Sequence, residues 1–237
     1  AFGYAVDWDQ INEKIYKGLR FTATDSGLYP PRRGPMFYNK DGKKFTKDVE
    51  KAKKLLDEAE YKDTDGDGLR EDKNGKKVTF NFAIRNTGAD YDQALADTFI
   101  KAWKEVGLDV QLVDGKLMSP KDWSQRVTAD DPNIDIFQGA WGLGSNPNPS
   151  SLVGPTSPLN LYRYTSSTFD EAFKEQSSDA MFDDAKLKEA YNKFDNLVAD
   201  ELPYFPLSWD NNLTWVNKRV KALNPEKLGK GQQKLHA

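Results

Sequence analysis

The sequence predicts an α/β fold, and three observations carry that expectation. Apolar residues recur at every second position in 78–84 and again in 108–112, the period of a strand. Between them, 91–106 places apolar residues on one helical face. The order strand, helix, strand, helix, strand then follows, and a right-handed crossover makes at least the first strand pair parallel.

Taken in order, the opening "AFGYAVDWDQINEKIY" carries Phe2, Ala5, Val6 and Ile11 close to helical spacing, with no cap before Ala1. A helix that starts without its cap points to a piece of something longer. The second helix shows Val49, Ala52, Leu55, Leu56 and Ala59 on one face, with Asp48 and Glu50 at its start complementing the helix dipole. Val78, Phe80, Phe82 and Ile84 alternate with Thr79, Asn81 and Ala83 in the first clear strand. Leu95, Phe99, Ala102, Trp103 and Val106 mark the next helix, which Gly107 stops. Leu108, Val110 and Leu112 alternate again. Ser119 and Pro120 open a short helix as cap and first-turn residue, and "NIDIFQGAW" is a further strand.

Two more helices are expected. Thr168 to Glu171 has the form of a capping box, and Leu187, Ala190, Tyr191, Phe194, Leu197 and Val198 give the strongest amphipathic stripe, which is core. "LPYFPLSW" and "NLTWVN" read as extended segments returning toward the sheet. Residues 224–237 show no apolar period and read as a loose tail.

The bulk composition excludes several functions. The 237 residues suffice for a sizeable core, although only 38% are hydrophobic; the six Trp make that apolar material bulky. Lys plus Arg number 34 against 37 acidic residues, a formal net charge of −3, and the signs are interspersed. That is not a nucleic-acid footprint. Nothing approaches a membrane-spanning apolar run. Cysteine is absent, which removes thiol chemistry, disulfides and Cys-zinc sites and suits an exported bacterial protein.

The stretch "DTDGDGLRED" poses the metal question. With Asp63 as position one, Asp65 and Asp67 fall at three and five, Gly68 at six and Glu71 at nine, as in a calcium loop. Position twelve is Asn74 where a bidentate Glu is needed, and the downstream flank is a strand where an EF-hand needs a helix. The sensor reading fails. The loop reads as a polar turn whose Asp side chains cap backbone N–H groups, with Asp63, Asp65 and Asp67 left as candidates for a structural calcium ion; no other cofactor is expected.

Catalytic chemistry finds little material. The one histidine, His236, lies in the tail, so neither a His triad nor a His metal site can form. Asp130-Asp131 and Asp183-Asp184 read as solvated acids. No phosphate loop or dinucleotide fingerprint is present. The conspicuous segment is "GAWGLGSNPNPSSLVGP", rich in Gly and Pro, with Trp141 just after a strand. Irregular backbone and an aromatic at the C-terminal end of a sheet strand is where open α/β sheets take ligands. An ordinary long connection reads the same residues equally well.

"FGYAVDWDQINEKIYKGL", "DVEKAKKLLDEAEYKDTDGDGLRED", "GAWGLGSNPNPSSL" and "LPYFPLSW", in that order, resemble the ABC-transporter oligopeptide-binding lipoproteins, the family 5 solute-binding proteins. The helix followed by Asp-Gly-Asp-Gly-Leu-Arg is the most specific part, and the resemblance spans residues 1–223. It implies a periplasmic-binding-protein-like type II fold, with this chain as the C-terminal of two lobes, a mixed sheet flanked by helices. The style resembles receptors of Gram-positive bacteria. The resemblance further implies a non-enzymatic, monomeric receptor that binds extended oligopeptides and delivers them to membrane permease subunits. It would be extracellular, tethered by a lipid anchor upstream of this chain. The ligand residues so implied are Trp141, Gly142, Gly144, Ser145 and Asn146, with Tyr162 and Tyr164 behind them.

One departure from the family pattern stands out. Where the best-known peptide receptors carry an Asp that holds the peptide's amino group, this chain has Gly144, with no carboxylate before Gly154. Backbone hydrogen bonding to an added strand is the expected substitute. The same fold serving a sugar or a metal chelate is the alternative; a carboxylate-based hydrolase and a purely structural surface domain are the other classes weighed.

Overall fold

The structure, a computed structural model, describes residues 1–22, 29–30, 36–142, 148–210 and 219. Three parallel strands form its central sheet in the order β3-β2-β4: β2 (Thr79–Ala83), β3 (Asp109–Leu112) and β4 (Ile136–Phe137). Phe82 lies opposite both Leu112 and Ile136. An antiparallel pair, β1 (Arg20–Thr22) with β5 (Ser208–Asp210), makes a separate two-stranded sheet.

The alternation along β2 explains the layering. Phe80, Phe82 and Ile84 meet Leu95, Phe99 and Trp103 of α4 (Asp92–Glu105). Ala83 belongs instead to a second cluster with Val113, Met118 and Trp123 and Val127 of α5 (Pro120–Thr128). Period-two side chains thus feed two cores from one strand. Because β2 is central and the crossovers through α4 and α5 run to opposite sides of it, a topological switch point lies at the C-terminal end of β2. Burial of Phe99 and Trp103 stabilises the first layer by about 2 kcal/mol each.

The opening segment departs from the sequence reading. It is not one helix: α1 (Phe2–Ala5) stops at Val6, whose backbone is extended, and α2 (Trp8–Gln10) restarts after Asp7, whose carboxylate accepts from Gln10 N–H at 2.9 Å. A π turn, Ile11–Ile15, completes it. This segment lies on α4, where Trp103 Nε1 donates to the Phe2 carbonyl at 3.2 Å. It also packs on α3 (Val49–Glu58), capped by Asp48 and burying Ala52 and Leu56. Gly3 is required here, because a Cβ would lie 2.3 Å from the Phe205 ring.

The third cluster belongs to α7 (Ser167–Gln176) and α8 (Asp184–Glu201), preceded by a single turn α6 (Ser150–Val153). Phe169, Phe173, Tyr191, Phe194 and Val198 interlock there, so the amphipathic stripe is core as expected. The capping box is not observed: the N-cap is Ser166, without a side-chain cap bond, which places Thr168 inside the helix. After α8, Leu202 adopts a left-handed conformation at φ 46°. The returning strand then pairs with β1, not with the parallel sheet. "NLTWVN" and residues 224–237 lie outside the described residues.

Candidate functional site

The C-terminal end of the parallel sheet carries an aromatic platform. Trp141 leaves β4 and sits edge-on to Tyr162, with ring centroids 5.9 Å apart, and to Tyr204 at 5.4 Å; the two tyrosines lie 5.7 Å apart. All three rings are half-buried, and Trp141, Tyr162 and Tyr204 pack against the α7–α8 cluster. Edge-to-face geometry suits ring quadrupoles and contributes about 0.5–1.5 kcal/mol per pair beyond burial. The tyrosine hydroxyls are sealed inside and have no hydrogen-bond partner among the described residues. Burial pushes both phenols well above their ordinary pKa, and for Tyr204 the neighbouring Tyr162, Asp195 and Tyr29 add to it. The platform therefore offers ring surface rather than hydroxyl groups.

Gly142 is exposed beside Trp141, with open space where a Cβ would stand. Gly144, Ser145 and Asn146 lie outside the described residues. Tyr164 does not join the platform. Its hydroxyl hydrogen-bonds Glu201 and its ring packs on Phe169 at 5.7 Å, which ties the approach to α7 to the end of α8.

Two residues of this end escaped the sequence reading. Tyr204 sits in "LPYFP", where flanking prolines signal only extended chain. Arg85, just past β2, stacks its guanidinium 4.8 Å over the Trp123 ring, and its Nε is buried without a hydrogen-bond partner among the described residues. A cation after a strand of the switch point was the available signal. One buried carboxylate of this end, Asp92, is used up structurally, accepting from Thr87 N–H at 2.6 Å, the Thr87 hydroxyl and Ala89 N–H. An apolar recess elsewhere, lined by Trp8, Tyr16, Phe99 and Leu207, does not include Trp141.

The opposite end of the sheet holds the Asp-rich loop, and it is a polar turn as expected. Asp63 accepts from Gly66 N–H (2.7 Å) and Gly68 N–H (2.9 Å), and Asp67 from Leu69 N–H (2.8 Å). Lys77 pairs with Asp65 at 3.0 Å and also with Asp67. Those partners, Lys77 first and Leu69 N–H second, hold the Asp67 carboxyl below the usual range. Carboxylate oxygens of Asp63, Asp65 and Glu71 lie within 4.8 Å of one another, whereas Asp67 stands outside that group. Arg70 clamps the loop down, donating to the Val106 carbonyl (2.9 Å), the Tyr61 carbonyl (2.6 Å) and Asp57 (2.5 Å).

Comparison with known proteins gives the arrangement a family. A profile of bacterial extracellular solute-binding proteins, family 5 (middle), matches residues 1–161. The oligopeptide-binding protein OppA of Lactococcus lactis subsp. lactis is 31% identical over 223 residues, 93% of this chain and 36% of its own length. The oligopeptide-binding protein AppA of Bacillus subtilis is 28% identical over 181 residues, 73% of this chain and 31% of its own. Among solved structures, lactococcal OppA complexed with an endogenous peptide in the closed conformation superposes with a TM-score of 0.80 at 28% identity. That match covers 88% of this chain and 38% of the other. The chain thus spans about a third of the length of the curated relatives it matches, and among the described residues no helix is long and apolar enough to cross a membrane. It belongs to the family 5 bacterial extracellular solute-binding proteins.

Proposed function

We propose that this chain is the C-terminal lobe of a two-lobed oligopeptide receptor, the substrate-binding component of an ABC importer. The observation that carries the reading is the 0.80 superposition on lactococcal OppA, a structure complexed with a peptide, together with an aromatic platform at the switch point. Peptide backbone runs along the Gly/Pro-rich segment 139–149, which can pair with an extended chain without reading its side chains. Trp141 supplies apolar contact, and Gly142, Gly144, Ser145 and Asn146 keep the segment free of bulk. No carboxylate follows Trp141 before Gly154, so the peptide's amino group is not fixed from this lobe and peptides of differing length fit.

Binding closes the two lobes over the peptide by a hinge motion, with no bond made or broken. The closed receptor, monomeric and outside the cell on a lipid anchor of the Gram-positive type, presents its cargo to permease subunits. One lobe buries only half a ligand, so the isolated chain binds peptide weakly.

A second reading has a specific observation behind it. The same fold, in a Thermotoga maritima protein 23% identical to this chain, is described with mannohexaose bound (TM-score 0.73), and in Campylobacter jejuni NikZ, 20% identical, with Ni(L-His) (TM-score 0.70). Native mass spectrometry of the two-lobed protein, purified without denaturation, separates the readings. A spread of adducts that resolves into peptides is the expected result. One sharp non-peptide adduct establishes the other ligand class, and nanomolar peptide binding by the lone lobe contradicts the half-cleft argument.

A further inference from the structure

The Asp-rich loop contains one group that turn chemistry leaves unused. Glu71 is only 2% exposed, held between Lys62 and Lys77 by antiparallel backbone bridges. Its Oε2 accepts from Thr64 N–H at 2.8 Å and from the Thr64 hydroxyl at 2.7 Å. Its Oε1 is buried with no partner among the described residues. A carboxylate oxygen removed from water without a donor or a cation is costly, and native structures rarely leave one so. The Asp63 and Asp65 carboxylates stand beside it, exposed, with the Asp63, Asp65 and Glu71 oxygens mutually within 4.8 Å.

The ligand set selects among cations. Calcium accepts an irregular set completed by carbonyls and water, as an open loop supplies, whereas magnesium demands near-ideal octahedral geometry and dehydrates reluctantly. The counter-charge at present is the Lys77 ammonium on Asp65 and Asp67, carried on an exposed side chain that can withdraw.

We propose that Asp63, Asp65 and Glu71 form a calcium site, with Lys77 as the built-in cation that calcium displaces from Asp65. The set differs from the spacing-based one by exchanging Asp67 for Glu71. The site sits at the end of the sheet away from Trp141, and its role is structural: the Arg70 N–H donates to the Gly107 carbonyl at 2.8 Å, so an ion here joins the α3–β2 connection to the end of α4. Sensing is excluded by the strand downstream.

Calorimetric titration and thermal unfolding of the chelator-stripped chain test it. One calcium per chain is expected, with a dissociation constant of about 10⁻⁴–10⁻³ M, as for extracellular modules, and a higher Tm that equal magnesium does not reproduce. Asp65→Asn, an exposed change that spares the fold, weakens binding at least tenfold. Glu71→Gln does the same, and Lys77→Met tightens binding several-fold. No saturable binding, magnesium binding as strong as calcium, or affinity unchanged in Asp65→Asn each overturns the site. Weaker binding in Lys77→Met overturns the displacement.

Discussion

The two ends of the parallel sheet solve opposite problems with the same chain. At the N-terminal end, exposed carboxylates are bound by backbone N–H groups two to five residues away, and Arg70 locks the turn onto two helices. At the C-terminal end, aromatic rings are gathered from 141, 162 and 204, distant in sequence. The first end is built from local rules and is stiff because its polar groups find partners nearby. The second depends on tertiary packing and keeps ring surface uncommitted, as a ligand site needs.

Arg70→Ala tests the stiff end most severely. It strips charged donors from the carbonyls of Val106 and Tyr61 and is expected to cost about 3 kcal/mol, read as a lower midpoint in urea with little direct effect on peptide affinity. A loss below about 1 kcal/mol would mean the clamp is ornamental. Trp141→Ala should do the reverse in the two-lobed protein. Peptide affinity falls about tenfold, roughly 1.4 kcal/mol, while the fold persists; unchanged affinity removes Trp141 from the cleft. Tyr204→Phe deletes a sealed hydroxyl that has no partner among the described residues, so stability should hold or rise by about 1 kcal/mol, seen as a higher Tm. A fall would reveal a hydrogen bond that the hydroxyl makes.

pH separates the two ends by sign. Asp67 is depressed by Lys77 and the Leu69 N–H, and Asp72 by the N–H groups of Lys76 and Asn74. Their folded values lie below the unfolded value of about 3.9. The contribution is complete above that value and is lost as pH falls through the depressed pKa. Tyr162 and Tyr204 lie above the unfolded value of about 10, so theirs is complete below pH 10 and disappears as pH rises through the raised pKa. Unfolding followed at both extremes should show the loop loosening in acid and the platform in alkali, with phenolate absorbance appearing late. The smallest effect is expected from Gly142→Ala. With open space at its Cβ, stability should change by less than about 0.5 kcal/mol, so any change in peptide affinity reports ligand contact alone.

How far the sequence could be read follows the same division. Strand β2 and helices α4 and α8 were legible because their apolar periods are long and unbroken. The opening helix was misjudged because a second cap, Asp7, outweighs the spacing of Phe2, Ala5 and Ile11. Glu71 was counted as a position-nine ligand but its burial was invisible, since it arises from bridges to Lys62 and Lys77. Trp141 was marked by its place after a strand. Tyr204 was not marked, because only the return of the chain beside α8 brings it to Trp141.

Tyr204 and Phe205 are consecutive, yet Tyr204 packs with the α7–α8 cluster while Phe205 packs with Gly3, Trp8 and Phe45 in the sheet's main core. One peptide unit is therefore a rivet between two bodies. A tilt of the α7–α8 pair against the sheet would have to wrench Phe205 from its socket or drag Tyr204 out of the platform. The ring beside Trp141 thus inherits the rigidity of the deepest packing, and on the proposed reading the lobe swings as a whole without its gripping surface going slack.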